Sequence, residues 1–186
     1  MNKLNICVDI DGTITSPYHF IPYLNELYNK NITEEECNTC DWETLYEIKM
    51  DKMLHDFHNK YLYSYGEALV VEWAKDIIEE LCAENNIYFV TARSQNLTEI
   101  TIKWLEDNGF SGIEVHLLGS DYKVEKAKEL NCNVFIEDNP WNAIQLANEG
   151  IKVLLINTNY NKELEHENIT RVNNWKEIKE FIDLYK

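Results

Sequence analysis

Four short segments of the chain carry side chains that could bind a metal ion and a phosphoryl group. They are Asp9-Ile10-Asp11-Gly12-Thr13, Thr91-Ala92-Arg93, Lys123 and Glu137-Asp138. Carboxylates are the ligands that hard divalent cations prefer. Hydroxyl and ammonium groups bind phosphate oxygens and stabilise a phosphoryl group during its transfer. The combination predicts metal-assisted phosphoryl chemistry, provided that the fold brings the segments together.

The first segment is the most informative. Asp9 and Asp11 lie two residues apart in a stretch that we predict to be extended, so their side chains should point the same way. Like charges held together are costly unless a cation neutralises them. Mg²⁺ suits such a site because it takes few carboxylates and shares its other positions with water and phosphate. An aspartate carboxylate can also attack phosphorus and form an acyl phosphate.

Alternating strands and helices would position these segments. Apolar runs predict strands over residues 4–10, 87–90, 113–118, 134–136 and 153–156. Amphipathic stripes predict helices over residues 73–81, 96–109, 123–130, 141–149 and 175–185. This order predicts an α/β fold, a Rossmann-like doubly wound parallel sheet with helices on both faces. Ligands bind such sheets at the carboxyl ends of the strands, which is where the four segments fall.

A long stretch between the first strand and the helix near Glu72 interrupts this alternation. It exceeds an ordinary connection and is rich in aromatic and acidic residues. Helical spacing is visible in it, for example from Leu45 through Ile48 to Met53. We therefore predict a small helical module inserted after the first strand. Within it, Tyr18 and Phe20 directly follow the first motif and are candidates to contact the rest of a substrate.

Composition limits the partners. Lysines and arginines number 17 against 33 acids, for a net charge of −16. Such an acidic chain has no basic surface for a nucleic acid polymer or an anionic membrane, whereas a few local cations can hold a small phosphorylated ligand. The segment from Met1 to Asp11 becomes charged too early for a signal peptide, which predicts a cytoplasmic protein. The odd number of cysteines, 5, disfavours a disulfide framework. The sequence is also compatible with a homodimer.

The motifs, in this order and at these places, resemble the haloacid dehalogenase (HAD) superfamily of phosphohydrolases. Asp-x-Asp-Gly-Thr directly after an apolar strand is the most specific of them. The Val-Thr-Ala-Arg and Ile-Glu-Asp-Asn-Pro segments and the short insertion look most like the 5′(3′)-deoxyribonucleotidase branch and its bacterial relatives. The resemblance implies a core of residues 1–14 and 72–186 and a cap of residues 15–71. It also implies a phosphatase that acts on (deoxy)nucleoside monophosphates.

The resemblance further implies roles for the first motif. Asp9 would attack phosphorus and become an aspartyl-phosphate. Asp11 would protonate the leaving oxygen and then activate water. Gly12 would allow a tight turn as the chain leaves the strand.

Other residues would bind the phosphoryl group or the substrate. They are Gly12, Thr13, Thr91, Ala92, Arg93 and Lys123. Plainer interpretations exist for three of them. Thr91 could be an ordinary strand residue, Lys123 could be replaced in its role by a neighbouring lysine, Lys126 or Lys128, and Arg93 could cap a helix or lie on the surface.

One Mg²⁺ would be held by the Asp9 carboxylate, the main-chain carbonyl of Asp11 and one acid of Glu137-Asp138. The family usually has aspartate first in this pair, whereas this chain has Glu137. The extra methylene leaves open which of the two contacts the metal and which holds its waters. Without a metal, the pair could also be a polar turn before Pro140.

A second metal site deserves comparison. Cys37-x2-Cys40 and His55-x2-His58 offer four zinc ligands, and histidines three apart on a helix face the same side. The histidine spacing is shorter than that of most zinc sites. The alternative, which this spacing favours, is a helical module with unpaired thiols and surface histidines.

Three other functions fit the fold class. A receiver domain also gathers acids, Thr and Lys, but it would need an Asp after the third strand, where this chain has Leu117-Leu118-Gly119. A non-catalytic phosphate-binding protein on the same scaffold would be expected to lack Asp9 or Asp11. A phosphatase for a sugar phosphate or another metabolite remains the second choice. The chain has neither a P-loop nor a dinucleotide-binding glycine motif.

Overall fold

A computed structural model describes residues 3–185. Its centre is a six-stranded, all-parallel sheet in the order β3-β2-β1-β4-β5-β6. The strands are β1 (Asn5–Val8), β2 (Asn86–Thr91), β3 (Glu114–Leu117), β4 (Val134–Glu137), β5 (Lys152–Ile156) and β6 (Ile169–Val172). This confirms the predicted α/β class with a doubly wound sheet.

Strand β1 lies at the point where the strand order reverses. It pairs with β2 on one side, with Val8 opposite Phe89, and with β4 on the other, with Val8 opposite Ile136. The chain first builds one half of the sheet outward from β1 and then returns to build the other half from β4. A crevice for ligands forms at such a reversal, outside the carboxyl ends of the strands.

Helices cover both faces of the sheet. They are α1 (Ile21–Tyr28), α2 (Trp42–Tyr46), α3 (Met50–Tyr61), α4 (Ala74–Glu84), α5 (Thr98–Asp107), α6 (Val124–Glu129), α7 (Pro140–Asn148) and α8 (Trp175–Tyr185), with short 3₁₀ helices at Leu62–Gly66 and Gln95–Leu97. Because side chains alternate along a strand, Ile6 and Val8 pack on one apolar cluster and Cys7 on the other. None of the helices within residues 3–185 is long and apolar enough to cross a membrane.

Helices α1, α2 and α3 lie in the stretch where a helical insertion is predicted. They have an apolar cluster of their own, which includes Leu24, Tyr46 and Phe57 and is separate from the two clusters of the sheet. An antiparallel bridge between Thr15 and Val70 brings the two ends of the insertion together. The domain boundaries at residues 15 and 71 stay a prediction.

Two strands, β1 and β6, differ from the sequence-based expectation. Strand β6 was not predicted, because Ile-Thr-Arg-Val has no run of alternation and its strand state depends on pairing with β5. Strand β1 ends at Val8, earlier than predicted. The chain turns directly afterwards, since the N–H groups of Thr13, Ile14 and Thr15 all donate to the carbonyl of Ile10.

Candidate active site

The predicted segments meet at the carboxyl ends of β1 and β4. Asp9 follows β1, and its N–H donates to the Ile136 carbonyl over 3.0 Å, which holds the start of the loop against β4. Glu137 is the last residue of β4 and Asp138 follows it. The helix α7 then begins at Pro140, capped by the side chain of Asn139. The carboxyl ends of β1 and β4 therefore bring Asp9, Glu137 and Asp138 together.

Lys123 connects two of these acids. Its Nζ lies 2.6 Å from Oδ1 of Asp9 and 2.8 Å from Oε2 of Glu137. The other oxygen of Glu137 accepts the main-chain N–H groups of Asp138 and Asn139 at 3.2 and 3.0 Å. Both oxygens of Glu137 thus have protein partners, and the residue is fully buried. Its structural task is to hold Lys123 and the turn into α7.

The two neighbouring lysines that could have replaced Lys123 form ion pairs with other acids. Lys126 pairs with Glu129 at 2.6 Å, and Lys128 pairs with Glu149 at the same distance. Neither lysine is at the acidic cluster, so Lys123 is the lysine that the structure places there.

Asp138 is held by Thr13, which was expected to bind substrate, and by two residues that the sequence did not reveal, Tyr160 and Asn161. Thr13 donates its hydroxyl to Oδ1 of Asp138 at 3.2 Å, and the Tyr160 hydroxyl donates to Oδ2. Asn161 donates its amide to the main-chain carbonyl of Asp138 at 2.7 Å. Tyr160 and Asn161 lie in the loop after β5, which has no motif. The expected strand end at β5 was the one feature that could have directed attention to this loop.

Gly12 is required by this arrangement. It has a φ of +87°, and a Cβ built on it would lie 2.5 Å from Cγ of Asp138 and 2.9 Å from Oδ1. An L side chain would be both strained and in collision with the acid. The tight turn that the resemblance implied is therefore present.

The donor set fits a hard divalent cation. Asp9, Glu137 and Asp138 each offer a carboxylate oxygen, and these oxygens lie within 4.8 Å of one another. Within residues 3–185 they are the sole group of three or more such ligands. All three residues are buried, and Asp9 and Asp138, unlike Glu137, line a cavity. Oxygen ligands in this number suit Mg²⁺.

Burial dominates the ionisation of this cluster. The pKa of Asp9 is raised to about 7, mainly by loss of hydration; the charge of Lys123 lowers it, and the charges of Glu137 and Asp11 add to the rise. Burial, followed by the charges of Glu137 and Asp9, raises the pKa of Asp138 well above its usual range. Burial lowers the pKa of Lys123, but Asp9 and Glu137 outweigh it and raise the pKa overall. A bound cation would therefore favour the ionised forms of these acids.

Asp11 is not part of this acidic group and has a different partner. Its two oxygens accept hydrogen bonds from Arg93, with Oδ2 2.8 Å from Nε and Oδ1 2.7 Å from Nη2. The expectation that Asp9 and Asp11 lie on one extended stretch is wrong, because β1 ends at Val8 and Asp11 lies in the turn that follows. Its side chain is 29% exposed.

Arg93 is enclosed by other side chains. Its remaining end donates from Nη1 to the Thr101 hydroxyl at 3.0 Å. The Tyr65 ring lies on one side, with its centroid 4.9 Å from Cζ, and the Trp104 ring is 5.8 Å away. The Arg93 side chain is 1% exposed, which contradicts a surface role.

The remaining predicted phosphate ligands lie close by. Thr91 is the last residue of β2, and its hydroxyl accepts the N–H of Arg93 at 3.2 Å. Thr91, Ala92, Gly12 and Lys123 line the same cavity as Asp9. Thr13 does not line it, since its hydroxyl donates to Asp138. Their roles toward a substrate stay predictions.

Two cavities meet at the site. The first, about 160 Å³, contains Asp9, Lys123 and Asp138. The second, about 410 Å³, extends under the helical insertion and has a largely apolar wall that includes Trp42, Met53 and Trp141. Residues common to both are Asp11, Phe20, Cys40, Trp42, Ala92, Asp121 and Asn139.

Of the two aromatic candidates after the first motif, Phe20 lines both cavities. Tyr18 lines neither; its hydroxyl accepts the N–H of Asn159 at 2.9 Å. Asn142, which the sequence analysis missed, also lines the first cavity, and its buried Oδ1 has no hydrogen-bond partner among the described residues.

The cysteine and histidine pairs do not form a metal site. Cys37 is buried, and its thiol contacts the carbonyl of Thr39. His55 lies on the outer face of α3 beside Asp56, whereas His58 contacts the Tyr65 hydroxyl. The four side chains are not gathered within the described residues, so the zinc interpretation is wrong.

Comparison with known proteins agrees with this geometry. The model of the family described as 5′ nucleotidase, deoxy (pyrimidine), cytosolic type C protein matches residues 2–186. A nucleotidase of Clostridium acetobutylicum is 38% identical over 184 residues, covering 98% of this chain and 95% of the relative. The YqfW protein of Bacillus subtilis, provisionally named a nucleotidase, is 35% identical over 97% of this chain and 94% of its own length.

Solved structures show the same fold. A haloacid dehalogenase-like hydrolase from Streptococcus pneumoniae superposes with a TM-score of 0.71 at 12% identity, covering 97% of this chain and 98% of that one. The fold, the acidic site and the family match together establish a phosphohydrolase of the nucleotidase type. The chain belongs to the 5′ nucleotidase, deoxy (pyrimidine), cytosolic type C family, a branch of the HAD superfamily.

Proposed function

We propose that this protein is a Mg²⁺-dependent phosphomonoester hydrolase that cleaves (deoxy)nucleoside monophosphates through a phosphorylated Asp9. One observation carries the proposal. The carboxylate of Asp9 and the ammonium of Lys123, 2.6 Å apart, line a small cavity with a mixed polar and apolar wall, which shares lining residues with a larger, largely apolar one. The first has the chemistry for a phosphoryl group, and the second has the volume for an organic leaving group.

Asp9 and Asp138 would hold the metal with their carboxylates, and Asp11 with its main-chain carbonyl. Glu137 is the less suitable ligand of the acidic pair because both its oxygens have partners in Lys123 and two N–H groups. When bound, Mg²⁺ supplies positive charge that keeps the acids ionised and neutralises phosphate oxygens.

The chain's own residues would then perform the reaction in two steps. An oxygen of Asp9 forms a bond to phosphorus as the bond from phosphorus to the substrate oxygen breaks. Lys123 and the Thr91 hydroxyl hold the other phosphoryl oxygens during this transfer. Water then attacks phosphorus, the bond to Asp9 breaks, and inorganic phosphate leaves.

Asp11 would move the protons. In its acid form it gives a proton to the leaving oxygen in the first step, and as a carboxylate it takes one from the attacking water in the second. Its place supports this role, because it lines both cavities and so borders the point where phosphate and leaving group join.

The second cavity supports a nucleoside as the leaving group. Phe20, Trp42 and Trp141 line it, and aromatic rings stack on bases. Phe20 and Trp42 come from the stretch 15–71, which we propose acts as a cap that excludes water and selects the substrate.

Phosphate release with Mg²⁺ tests the proposal, using nucleoside and deoxynucleoside monophosphates, sugar phosphates and an aryl phosphate, with Asp9→Asn in parallel. We expect preferential turnover of nucleotides and none by the variant. Turnover by a folded Asp9→Asn protein would overturn the mechanism. Preference for sugar phosphates would replace the substrate class, and no turnover of any compound would favour a binding protein on this scaffold.

A further inference from the structure

We propose that Arg93 is the positioning residue for Asp11: its guanidinium fixes the carboxylate that delivers the proton to the leaving oxygen, and it does not itself bind the phosphoryl group. The inference rests on the proposed function. It departs from the expectation that Arg93 contacts phosphate, and it follows from the contacts of the guanidinium on every side.

The two residues form a matched pair. The Nε and Nη2 atoms of Arg93 each donate to a different oxygen of Asp11, at 2.8 and 2.7 Å. Such a paired contact fixes the plane of the carboxylate as well as its position, which a single ammonium contact would not do. Each carboxylate oxygen keeps a further lone-pair position, so the pair leaves Asp11 able to carry and pass on a proton.

Arg93 is itself immobilised. Thr101 accepts from Nη1 at 3.0 Å, and the Tyr65 and Trp104 rings flank the guanidinium. Thr101 and Trp104 lie on α5, a helix packed on the sheet, so the support is rigid. Because Thr101 and the two rings restrain the guanidinium, Arg93 holds the Asp11 carboxylate in a fixed position relative to the core.

Arg93 and Asp11 differ in how far their side chains are exposed to solvent. The Arg93 side chain is 1% exposed, against 29% for that of Asp11. Asp11 lines both cavities, whereas Arg93 lines the second one alone and is absent from the first, where the phosphoryl group would sit. A guanidinium enclosed in this way has no free face for phosphate, while the carboxylate that it holds reaches the junction of the cavities.

The reaction gives this role a distinctive signature. The leaving oxygen of a nucleotide is a poor leaving group that needs a proton, whereas the phenolate of a nitrophenyl phosphate needs little help. Loss of the positioning residue should therefore harm nucleotide cleavage far more than aryl phosphate cleavage. A purely structural defect, or loss of a phosphate contact, would harm both alike.

The test compares kcat/KM for a deoxynucleoside monophosphate and for p-nitrophenyl phosphate, since this constant reports the first transfer step. For Arg93→Met we expect a loss of about 10²- to 10³-fold with the nucleotide and under about tenfold with the aryl phosphate. Arg93→Lys should restore part of the loss. Thr101→Val, which leaves Asp11 and Arg93 in place, should shift the ratio in the same direction by a smaller factor and carries the test if Arg93→Met does not fold.

Asp11→Asn provides the decisive background. In it, Arg93→Met should cause no further loss of nucleotide cleavage, because the two residues act as a unit. Equal losses with both substrates, or full additivity with Asp11→Asn, would overturn the role. If the unmodified protein cleaved neither substrate, the proposed function would be overturned, and the role of Arg93 with it. This outcome differs from failure of the Arg93 role alone, in which the unmodified protein cleaves the nucleotide.

Discussion

Lys123 and Asp9 form a buried ion pair, 2.6 Å apart, in which the lysine also serves Glu137. The cluster around it contains the carboxylates of Asp9, Glu137 and Asp138 against one ammonium. If all were ionised, the cluster would carry an excess of two negative charges in a region of little water. A divalent cation would supply the missing charge, so that the lysine and a bound metal would be complementary parts of one electrostatic arrangement.

A divalent cation should therefore stabilise the fold. At a hundredfold excess over its dissociation constant, Mg²⁺ should add about 2.7 kcal/mol and raise Tm by about 5–10 °C. Thermal unfolding with EDTA and then with Mg²⁺ measures this. In Asp138→Asn the rise should be largely lost, whereas in Asp107→Asn, an exposed acid paired with Lys103, it should persist. An equal rise in all three proteins would remove Asp138 from the metal site.

Replacing Lys123 should be costly to stability as well as to activity. Lys123→Met leaves Asp9 and Glu137 buried without their counter-ion, and breaking a buried pair in this way costs about 3–5 kcal/mol. Denaturant unfolding at neutral pH in EDTA measures the loss. Lys128→Met is the matched control because Lys128 pairs with Glu149 at the surface, and its loss should stay below about 1 kcal/mol. Similar values for both variants would contradict the buried pair.

Two glycines offer a paired test of the first motif. Gly12 and Gly112 have φ values of +87° and +85°, but a Cβ meets Asp138 at Gly12 and nothing within 4 Å at Gly112. Both alanine variants should lose about 1 kcal/mol from the left-handed backbone. Gly12→Ala should in addition lower kcat/KM by about 100-fold or more, since it displaces Asp138. Steady-state kinetics at saturating Mg²⁺ measures this; unchanged kinetics in Gly12→Ala would contradict the close packing.

The sheet and the main site residues could be predicted because their information is local. Apolar strands, helix stripes and polar residues at strand ends predicted the fold class and the meeting of Asp9, Lys123 and Glu137-Asp138. Strand β6 could not be predicted in the same way, because its identity depends on pairing with β5. Tyr160 escaped for a related reason: its function as a partner of Asp138 arises from the loop after β5, and no spacing in the sequence connects them.

The place of Asp11 in the chain shows a second limit. Its prediction assumed that the strand continues through the motif, whereas the hydrogen bonds to the Ile10 carbonyl end it. The partner of Asp11 is Arg93, which is distant in sequence and was expected to bind phosphate, cap a helix or lie on the surface. Whether Arg93 binds Asp11 or a phosphate depends on its contacts with Thr101, Tyr65 and Trp104. These contacts form only in the folded protein, so the local sequence does not reveal them.

Tyr160→Phe tests the partner that the sequence did not reveal. The change removes one hydroxyl and keeps the ring, so Asp138 retains Thr13 but loses its second donor. Because groups that orient a metal ligand commonly account for 10- to 100-fold in metal affinity, the Mg²⁺ concentration for half-maximal phosphate release should rise by about that factor. Activity should recover at saturating Mg²⁺. Tyr63→Phe, at a ring that is 51% exposed, should leave the Mg²⁺ dependence unchanged. An unaltered Mg²⁺ dependence in Tyr160→Phe would mean that Thr13 alone suffices to orient Asp138.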